Sequence, residues 1–504
     1  MKLTLSMIVK NEERFLRGCL ESVKGLVDEI VIVDTGSTDS TKEIARSFGA
    51  KVYNFEWCDD FSAARNESLG NSTGDWILYL DADERIDKSY HAKIRKLISG
   101  GKADAFLLQL KSKIGTREDA QYHLVSYPRL FRKIKGVAFS GEVHEQITNS
   151  LTAVGARILQ SDVIIDHLGY AQDDAVILEK ARRNHRLLLS QLQKGKNHGY
   201  ALYQLGQTEI ILGEVEKGLS HLNEALQAGG FGKSVEASVY GIIAENKYKL
   251  GEYEEALAAC TSSLEAAPQQ TFSHLMRGEI YLKLSDYRKS VESFLEAVEK
   301  YRSLILRGKT AAAIEPMFDV HVIYSKVGKA AALGGDVPTA SLYLKMAAEE
   351  GARPQKIGEY IEFLVRNRMY REALEAADRF RQFEGEGWYV RLVSSALIDT
   401  EKYGEAAKLL EKAPEHDKVT LSSLANCRMK IGDFAGADAA FRQAVELGYD
   451  DPQGIEMYGL VQFKLGKFSD AASTLTRAAE INPANSRAIK FAQAARAQIS
   501  TVSK

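Results

Sequence analysis

Short apolar runs alternate with helical spacing along the first eighty residues. Leu3–Val9 reads as a strand, and Phe15, Leu16, Cys19, Leu20 and Val23 then recur at helical intervals. Ile30–Val33 is a second buried strand. Ser40 and Glu43 have the spacing of a capping box for a helix ending near Phe48, with Gly49 as its stop. Val52–Phe55 predicts a third strand, Phe61–Leu69 a short helix, and Trp76–Leu80 a fourth strand introduced by Gly74. Strand and helix in strict alternation predict a doubly wound, Rossmann-like α/β domain with a mostly parallel sheet. Strand-like runs return at Asp104–Lys111, 127–132, 141–145 and Val163–Tyr170.

From about residue 172 the strand signal stops and helical periodicity takes over. A motif of glycine or a polar residue, an aromatic, and a small residue three positions on recurs at Tyr253/Ala256, Tyr287/Ser290, Tyr370/Ala373, Tyr403/Ala406, Phe434/Ala437 and Phe468/Ala471. Weaker copies stand at Val215/Gly218 and Val337/Ala340. The steps run from 31 to 38 residues, with one of 50 that implies an insertion near 301–320. The period resembles that of the tetratricopeptide repeat and predicts about eight units. The small residue lets paired helices approach and the aromatic fills the gap between pairs. The joint is expected at Tyr170–Asp174, giving a catalytic domain over 1–170 and a solenoid over 171–504.

Composition narrows the class. The chain has 504 residues, 45% hydrophobic and 27% charged, with 66 Lys+Arg against 68 Asp+Glu and a formal net charge of −2. That balance gives no reason to expect nucleic acid as a partner. Cys19, Cys58, Cys260 and Cys427 are scattered, without metal spacing or a disulfide framework, which predicts a reducing, cytoplasmic setting. No apolar run is long enough to span a membrane.

Candidate chemistry gathers where the predicted strands end. Trp76–Leu80 runs into Asp81-Ala82-Asp83-Glu84, and in extended chain two carboxylates at i and i+2 face one side. Hard oxygen donors at a strand's C-terminal end suit Mg²⁺ or Mn²⁺ beside phosphate oxygens. Lys10, Asn11 and Glu12 follow the first strand and Asp34 ends the second, on the same expected edge. A dinucleotide fingerprint and a P-loop are both absent.

Four stretches in order, Ser6–Glu13, Val33–Asp39, Trp57–Asn66 and Asp81–Glu84, resemble family 2 glycosyltransferases of the GT-A fold. The resemblance covers roughly residues 1–170. It implies transfer of a sugar from a nucleoside diphosphate with inversion, a uridine diphosphate sugar first among the donors. It implies nucleotide-sugar contacts from Val9, Lys10, Asn11, Glu12, Asp34, Arg65, Asp81 and Arg129, with Asp83 holding the metal. Thr35 stands where many members carry a second aspartate.

Glu142, His144 and Glu145 cluster where such a family carries its acceptor side and general base. Glu145 is the first choice, with His144 and Glu142 as competitors, and His167 is the candidate for a further metal ligand beside Asp81 and Asp83. With the repeats, the whole resembles bacterial peptide and protein glycosyltransferases of the sublancin S-glycosyltransferase type. It implies a protein or peptide acceptor docked by the array. Two rivals stand: a lipid-linked or surface glycan acceptor with the repeats for docking or dimerisation, or a scaffold without catalysis. Lys180-Ala181-Arg182-Arg183 is the weak basic helix that would favour the glycan rival.

Overall fold

The computed structural model describes residues 1–114, 121–168, 174–195, 198–307, 314–317 and 319–502. It opens with β1 (Leu3–Val9), α1 (Glu13–Ser22), β2 (Glu29–Asp34), α2 (Thr41–Ser47), β3 (Lys51–Asn54), α3 (Phe61–Asn71) and β4 (Trp76–Tyr79). These strands form the parallel order β3-β2-β1-β4. β4 is apolar and buried throughout, and β1 is buried at all but Ile8, its Thr4 and Ser6 included, because helices cover both faces of a parallel sheet. Leu3, Leu5, Met7, Trp76 and Leu78 are fully buried with Leu16 and Leu20 of α1. Each such side chain contributes about 1.5–3 kcal/mol by leaving water.

The second half of the sheet is mixed. β5 (Glu84–Ile86), α4 (His91–Ser99), β6 (Ala105–Ile114), β7 (Gln121–Arg132), α5 (Thr148–Ala153) and β8 (Ile158–His167) follow. β7 runs antiparallel to both β4 and β6, β8 is parallel to β6, and β5 closes the order antiparallel to β8. Residues 141–145, expected as a strand, form a loop closed by one bridge between Ser140 and Gln146. The expected capping box does not form. The Ser40 side chain caps nothing, and the Asp39 carboxylate takes the Thr41 N–H at 3.0 Å instead.

Helices occupy the rest. In order they are α6 (Asp174–Gln193), α7 (His198–Ile211), α8 (Val215–Ala228), α9 (Lys233–Lys249), α10 (Tyr253–Ala266), α11 (Phe272–Lys283), α12 (Tyr287–Arg307) and α13 (Val320–Leu333). They continue from α14 (Val337–Glu349) to α23 (Ser486–Val502). Residues 170–173 of the expected joint, and the Gly169-Tyr170 that follows His167-Leu168, lie outside the described residues. Every motif aromatic, and its substitutes Val215 and Val337, is the first residue of a helix. The small residues Ala256, Ser290, Ala340, Ala373, Ala406, Ala437 and Ala471 are all buried at 0–1% exposure, as close helix approach requires. Gly278 shows how tight this is, since a Cβ there would meet the Phe294 ring at 2.4 Å.

The 50-residue step contains more than helix. Between α12 and α13, β9 (Ile314–Met317) pairs antiparallel with β7 over Tyr122–Val125. A stretch of the repeat region thus joins the sheet as a strand. The chain packs as two compact units, Met1–Gly335 and Asp336–Lys504. The first unit holds the sheet and α6–α13, and the second holds α14–α23.

Candidate active site

The site is built at the C-terminal ends of β1, β2 and β4. At the end of β2, Asp34 is 1% exposed, and its Oδ1 accepts the Gly36 and Ser37 N–H groups at 3.1 and 3.0 Å. Gly36 sits at φ 106°, where a side chain would be strained. The Oδ2 of Asp34 is buried without a partner. Thr35 turns back, its hydroxyl donating to the Val9 carbonyl at 3.2 Å, so no second carboxylate faces this edge. Val9 is buried beside Asp34 in register, and Lys10 is exposed. Asn11 accepts the Thr38 N–H at 2.8 Å, which fixes the β1 loop against the β2 turn.

β4 ends at Tyr79, and Asp81–Glu84 then form a turn in which the Glu84 N–H meets the Asp81 carbonyl at 3.1 Å. The extended geometry expected for Asp81 and Asp83 is therefore replaced, because Glu84 must enter β5. The two carboxylates take different partners. Asp81 accepts from Arg65 Nη2, and Arg129 Nη2 stands at 3.5 Å from its other oxygen. Asp83 meets His167 Nε2 at 3.2 Å. Ser112 holds the other His167 nitrogen at 3.0 Å, fixing the ring.

Arg65 reaches this edge from α3. Asp60 caps that helix by accepting the Ala63 N–H at 3.0 Å, and Ser68 bonds Ser6 of β1 at 2.7 Å on the same helix face. Arg65 is 4% exposed, and its Nε donates to Glu145 at 3.0 Å. One guanidinium therefore joins Asp81 to Glu145. Arg129 comes from β7 and donates to Glu84 at 2.6 Å. The Tyr79 ring carries both cations, with Arg129 at 4.3 Å and Arg65 at 5.1 Å from its centroid. Arg65 Nη1 and both Nε and Nη1 of Arg129 are buried without partners.

The electrostatics follow from burial and neighbours. Burial opposes charge on Asp81, but Arg65 and Arg129 outweigh it and hold the carboxyl well below the usual range. Glu84 moves the other way: burial and the Asp81 charge raise it against the pull of Arg129. Glu12 is pushed up to about 7 by burial and then by Asp83, with Lys180 of α6 working against them. Burial works against a charge on His167, but Asp83 overcomes it and raises the imidazole's proton affinity.

The 140–146 loop brings the three candidate bases to different places. Glu145 faces Arg65. Glu142 is engaged by Lys194, and its carbonyl accepts the Phe61 N–H at 2.9 Å. His144 adopts φ 53° and is pushed down to about 4 by burial and by Arg183. Glu84, Tyr79 and Ser112 carried no role in the sequence reading, and Lys180 and Arg183 were read only as part of a weak basic helix. Only Glu84, next to the Asp81-x-Asp83 pair, had a local signal.

Among the described residues, the three side chains whose donor atoms all lie within 4.8 Å of one another are His185, Glu209 and Glu214; Asp81, Asp83 and His167 do not gather that closely. Lys217 lies 2.9 Å from Glu209 and 3.0 Å from Glu214, so an ammonium already fills that position.

Residues 4–152 match the glycosyl transferase family 2 profile, and residues 243–305 and 423–486 match the tetratricopeptide repeat. A TPR repeat-containing protein of Synechococcus elongatus is 34% identical over 237 residues, 45% of this chain and 57% of that protein. The SPbeta prophage-derived glycosyltransferase SunS of Bacillus subtilis is 29% identical over 227 residues, 44% of this chain and 53% of that protein. The chain thus spans about half the length of these curated relatives. The crystal structure of S. aureus TarS 1–349 with UDP-GlcNAc is 18% identical at a TM-score of 0.30, covering 53% of this chain and 89% of that one. A region that matches glycosyl transferase family 2 thus precedes regions that match tetratricopeptide repeats, and no helix among the described residues is long and apolar enough to cross a membrane.

Proposed function

We propose that the chain is a metal-dependent, inverting glycosyltransferase that moves a sugar from a nucleoside diphosphate to a protein or peptide acceptor docked by the repeats. One observation carries this reading. Arg65 links Asp81 on the donor side to Glu145 on the acceptor side, and it and Arg129 both carry buried, unpartnered N–H groups. Those donors suit the diphosphate, whose charge grows as the glycosidic bond breaks. Asp34, with one unpartnered buried oxygen, suits a nucleoside hydroxyl or N–H. Val9, Lys10, Asn11 and Glu12 line the same edge. The relative named as a glycosyltransferase supports the same class.

Asp83, Asp81 and His167 are the residues that would hold the metal. Two hard carboxylates with one oriented imidazole fit Mn²⁺ better than Mg²⁺, which prefers oxygen alone. A bound cation would supply charge to the leaving diphosphate. Glu145 takes the proton from the acceptor as its heteroatom bonds to the anomeric carbon and the diphosphate departs. His144, desolvated, and Glu142, held by Lys194, are poorer bases at this place.

The division is a transferase over 1–170 and a repeat array over 171–504, in a cytoplasmic setting consistent with free Cys19, Cys58, Cys260 and Cys427. Lys180 and Arg183 of α6 bear electrostatically on Glu12 and His144, while Lys180, Arg182 and Arg183 are all exposed, so the glycan-acceptor rival stands.

Calorimetry of the full chain with UDP, with and without MnCl₂, tests the reading, followed by mass spectrometry of candidate peptides incubated with a panel of nucleotide sugars. Mn²⁺-dependent binding and a peptide mass increase of one hexose or N-acetylhexosamine are expected. Absence of metal-dependent binding would leave the non-catalytic scaffold as the better account.

A further inference from the structure

The loop that presents Glu145 is braced by helices of the repeat region. Val143 is 4% exposed and packs with Leu187, Leu188 and Leu205 of α6 and α7. Lys194, just past α6, engages Glu142. Arg183 of α6 lies 5.2 Å over the Phe61 ring, and Phe61 opens the helix that carries Arg65. None of these contacts touches the Glu145 carboxylate, which Arg65 holds.

Tyr200 of α7 bonds the residue that follows Glu145. Its hydroxyl oxygen accepts from Gln146 Nε2 at 3.0 Å and from Gln204 Nε2 at 3.0 Å. Gln204 is 9% exposed and one helical turn on, so it anchors the phenol to α7. Gln146 is the residue after Glu145, and its backbone closes the loop on Ser140 with bonds of 2.8 and 2.9 Å. The Tyr203 ring packs edge-on at 5.7 Å and restricts the Tyr200 rotamer. Burial pushes the Tyr200 phenol up to about 12 against the hydrogen bond from Gln204, with the Glu145 charge adding to the rise. A chain of hydrogen bonds therefore runs from Gln204 of α7 through Tyr200 to Gln146, whose backbone is paired with Ser140 and is joined directly to Glu145 by the peptide bond. Arg65 holds the same carboxylate from the opposite side.

We propose that Tyr200 is a positioning residue for the transfer step: it holds Gln146 and with it the loop that aims Glu145, which makes α6 and α7 part of the catalytic unit. The inference rests on Glu145 being the base. A carboxylate displaced by about an ångström loses much of its effect on a proton transfer, while donor binding, made by Asp34, Asp81, Asp83 and Arg129, is untouched.

The test uses the full chain, MnCl₂, and UDP-glucose and UDP-N-acetylglucosamine as probes. UDP release to water gives kcat and KM, and calorimetry gives UDP affinity. Tyr200→Phe should lower kcat about 5- to 30-fold, the weight of a lost hydrogen-bonded support, with KM and UDP affinity within about twofold. Gln146→Ala should act in the same direction. Tyr203→Phe, on the same helix but not bonded to the loop, should leave kcat unchanged. Combining Tyr200→Phe with Glu145→Gln should be no slower than Glu145→Gln alone, since both act on one group.

Unchanged kcat in Tyr200→Phe and Gln146→Ala would overturn the proposal, as would equal losses in Tyr203→Phe or multiplicative losses in the double variant. These outcomes leave the transferase reading standing. Wild-type protein that neither binds UDP with Mn²⁺ nor releases it from either probe would defeat that reading and this one together. A normal rate in Glu145→Gln would defeat the base assignment, and Tyr200 with it.

Discussion

Two regions of the first unit bury carboxylates among cations, and they differ in what is left over. In the helices, Glu209 is fully buried, and every partner it needs is present. His185 stands at 3.3 Å and Lys217 at 2.9 Å from one oxygen, and His221 at 2.5 Å from the other. At the sheet edge, Asp81, Glu84 and Glu145 share Arg65 and Arg129, yet three guanidinium nitrogens remain buried and unpartnered. A buried N–H without an acceptor costs roughly 1–3 kcal/mol. The folded chain tolerates that cost at one place and avoids it at the other. Charge density alone does not mark a site; unspent hydrogen-bonding capacity beside it does.

The largest way to break the comparison is at Asp83. Its carboxylate meets the His167 ring at 3.2 Å, whereas that of Asp81 is taken by Arg65. Asp83→Asn keeps the size and removes a hard anionic ligand. Mn²⁺–UDP affinity should fall, and turnover should drop about 10³-fold, with the unfolding midpoint nearly unchanged. Near-normal turnover in metal-free buffer would remove Asp83 from the metal site.

Glu145→Gln comes next. It should leave UDP binding nearly intact and lower kcat by roughly 10²–10⁴-fold. The rival His144 gives a distinct signature. Held near 4, it stays neutral from pH 5 to 8, so His144→Gln should not alter the pH profile of turnover in that range. Loss of the acid limb in His144→Gln would hand the role to the imidazole.

Much of this site could be read from the chain, for a physical reason. Asp34, Arg65, Asp81 and Asp83 sit at strand ends or on a helix facing them, and hydrophobic periodicity locates those ends. The repeat aromatics and small residues were legible on the same ground, since one rule is written eight times. What was not legible depends on distant pairing. The fit of β9 to β7 joins residues nearly 200 positions apart, and its stretch shows no strand alternation of its own. The turn at Asp81–Glu84 overrode the extended pattern because β5 had to meet β8. Asp39 displaced Ser40 as the cap of α2 because its carboxylate also accepts the Glu13 N–H at 3.2 Å, tying two loops together. Tyr200 stands inside a helical stretch, where nothing local distinguishes it from a core residue.

Glu209→Gln sharpens the other side of the comparison. The variant keeps the shape and removes the charge that three cationic or imidazole groups share. It should destabilise the protein by about 1–3 kcal/mol at pH 7 and leave Mn²⁺–UDP affinity unchanged. Burial opposes charge on Glu209, but His221, Lys217 and His185 outweigh it, so its carboxyl lies below the usual range. Stability from such a group is present above its unfolded pKa and lost as pH falls through the folded one. The gap between variant and wild type should therefore narrow in acid. A variant that folds as well as wild type but loses donor binding would reassign the cluster to the site.

The smallest effect is at Glu12, and it carries the opposite sign. Burial and the charges of Asp83 and Asp81 raise its carboxyl from the ordinary 4.5 to about 7. A raised acid contributes stability that is full below pH 4.5 and lost as pH climbs through 7, because the folded state resists its ionisation. At pH 8 the ionised group is a burden that a neutral amide removes. Glu12→Gln should then unfold a few degrees higher than wild type at pH 8 and match it at pH 4.5. A cation between Asp81 and Asp83 would cancel the charge that Glu12 feels, so MnCl₂ should shrink the gap at pH 8 by stabilising wild type more. Thermal scans at the two pH values, with and without MnCl₂, give all four midpoints. A gap that ignores pH would mean that packing, not charge, governs Glu12. A gap that ignores the metal would mean that no cation binds within reach of the two aspartates.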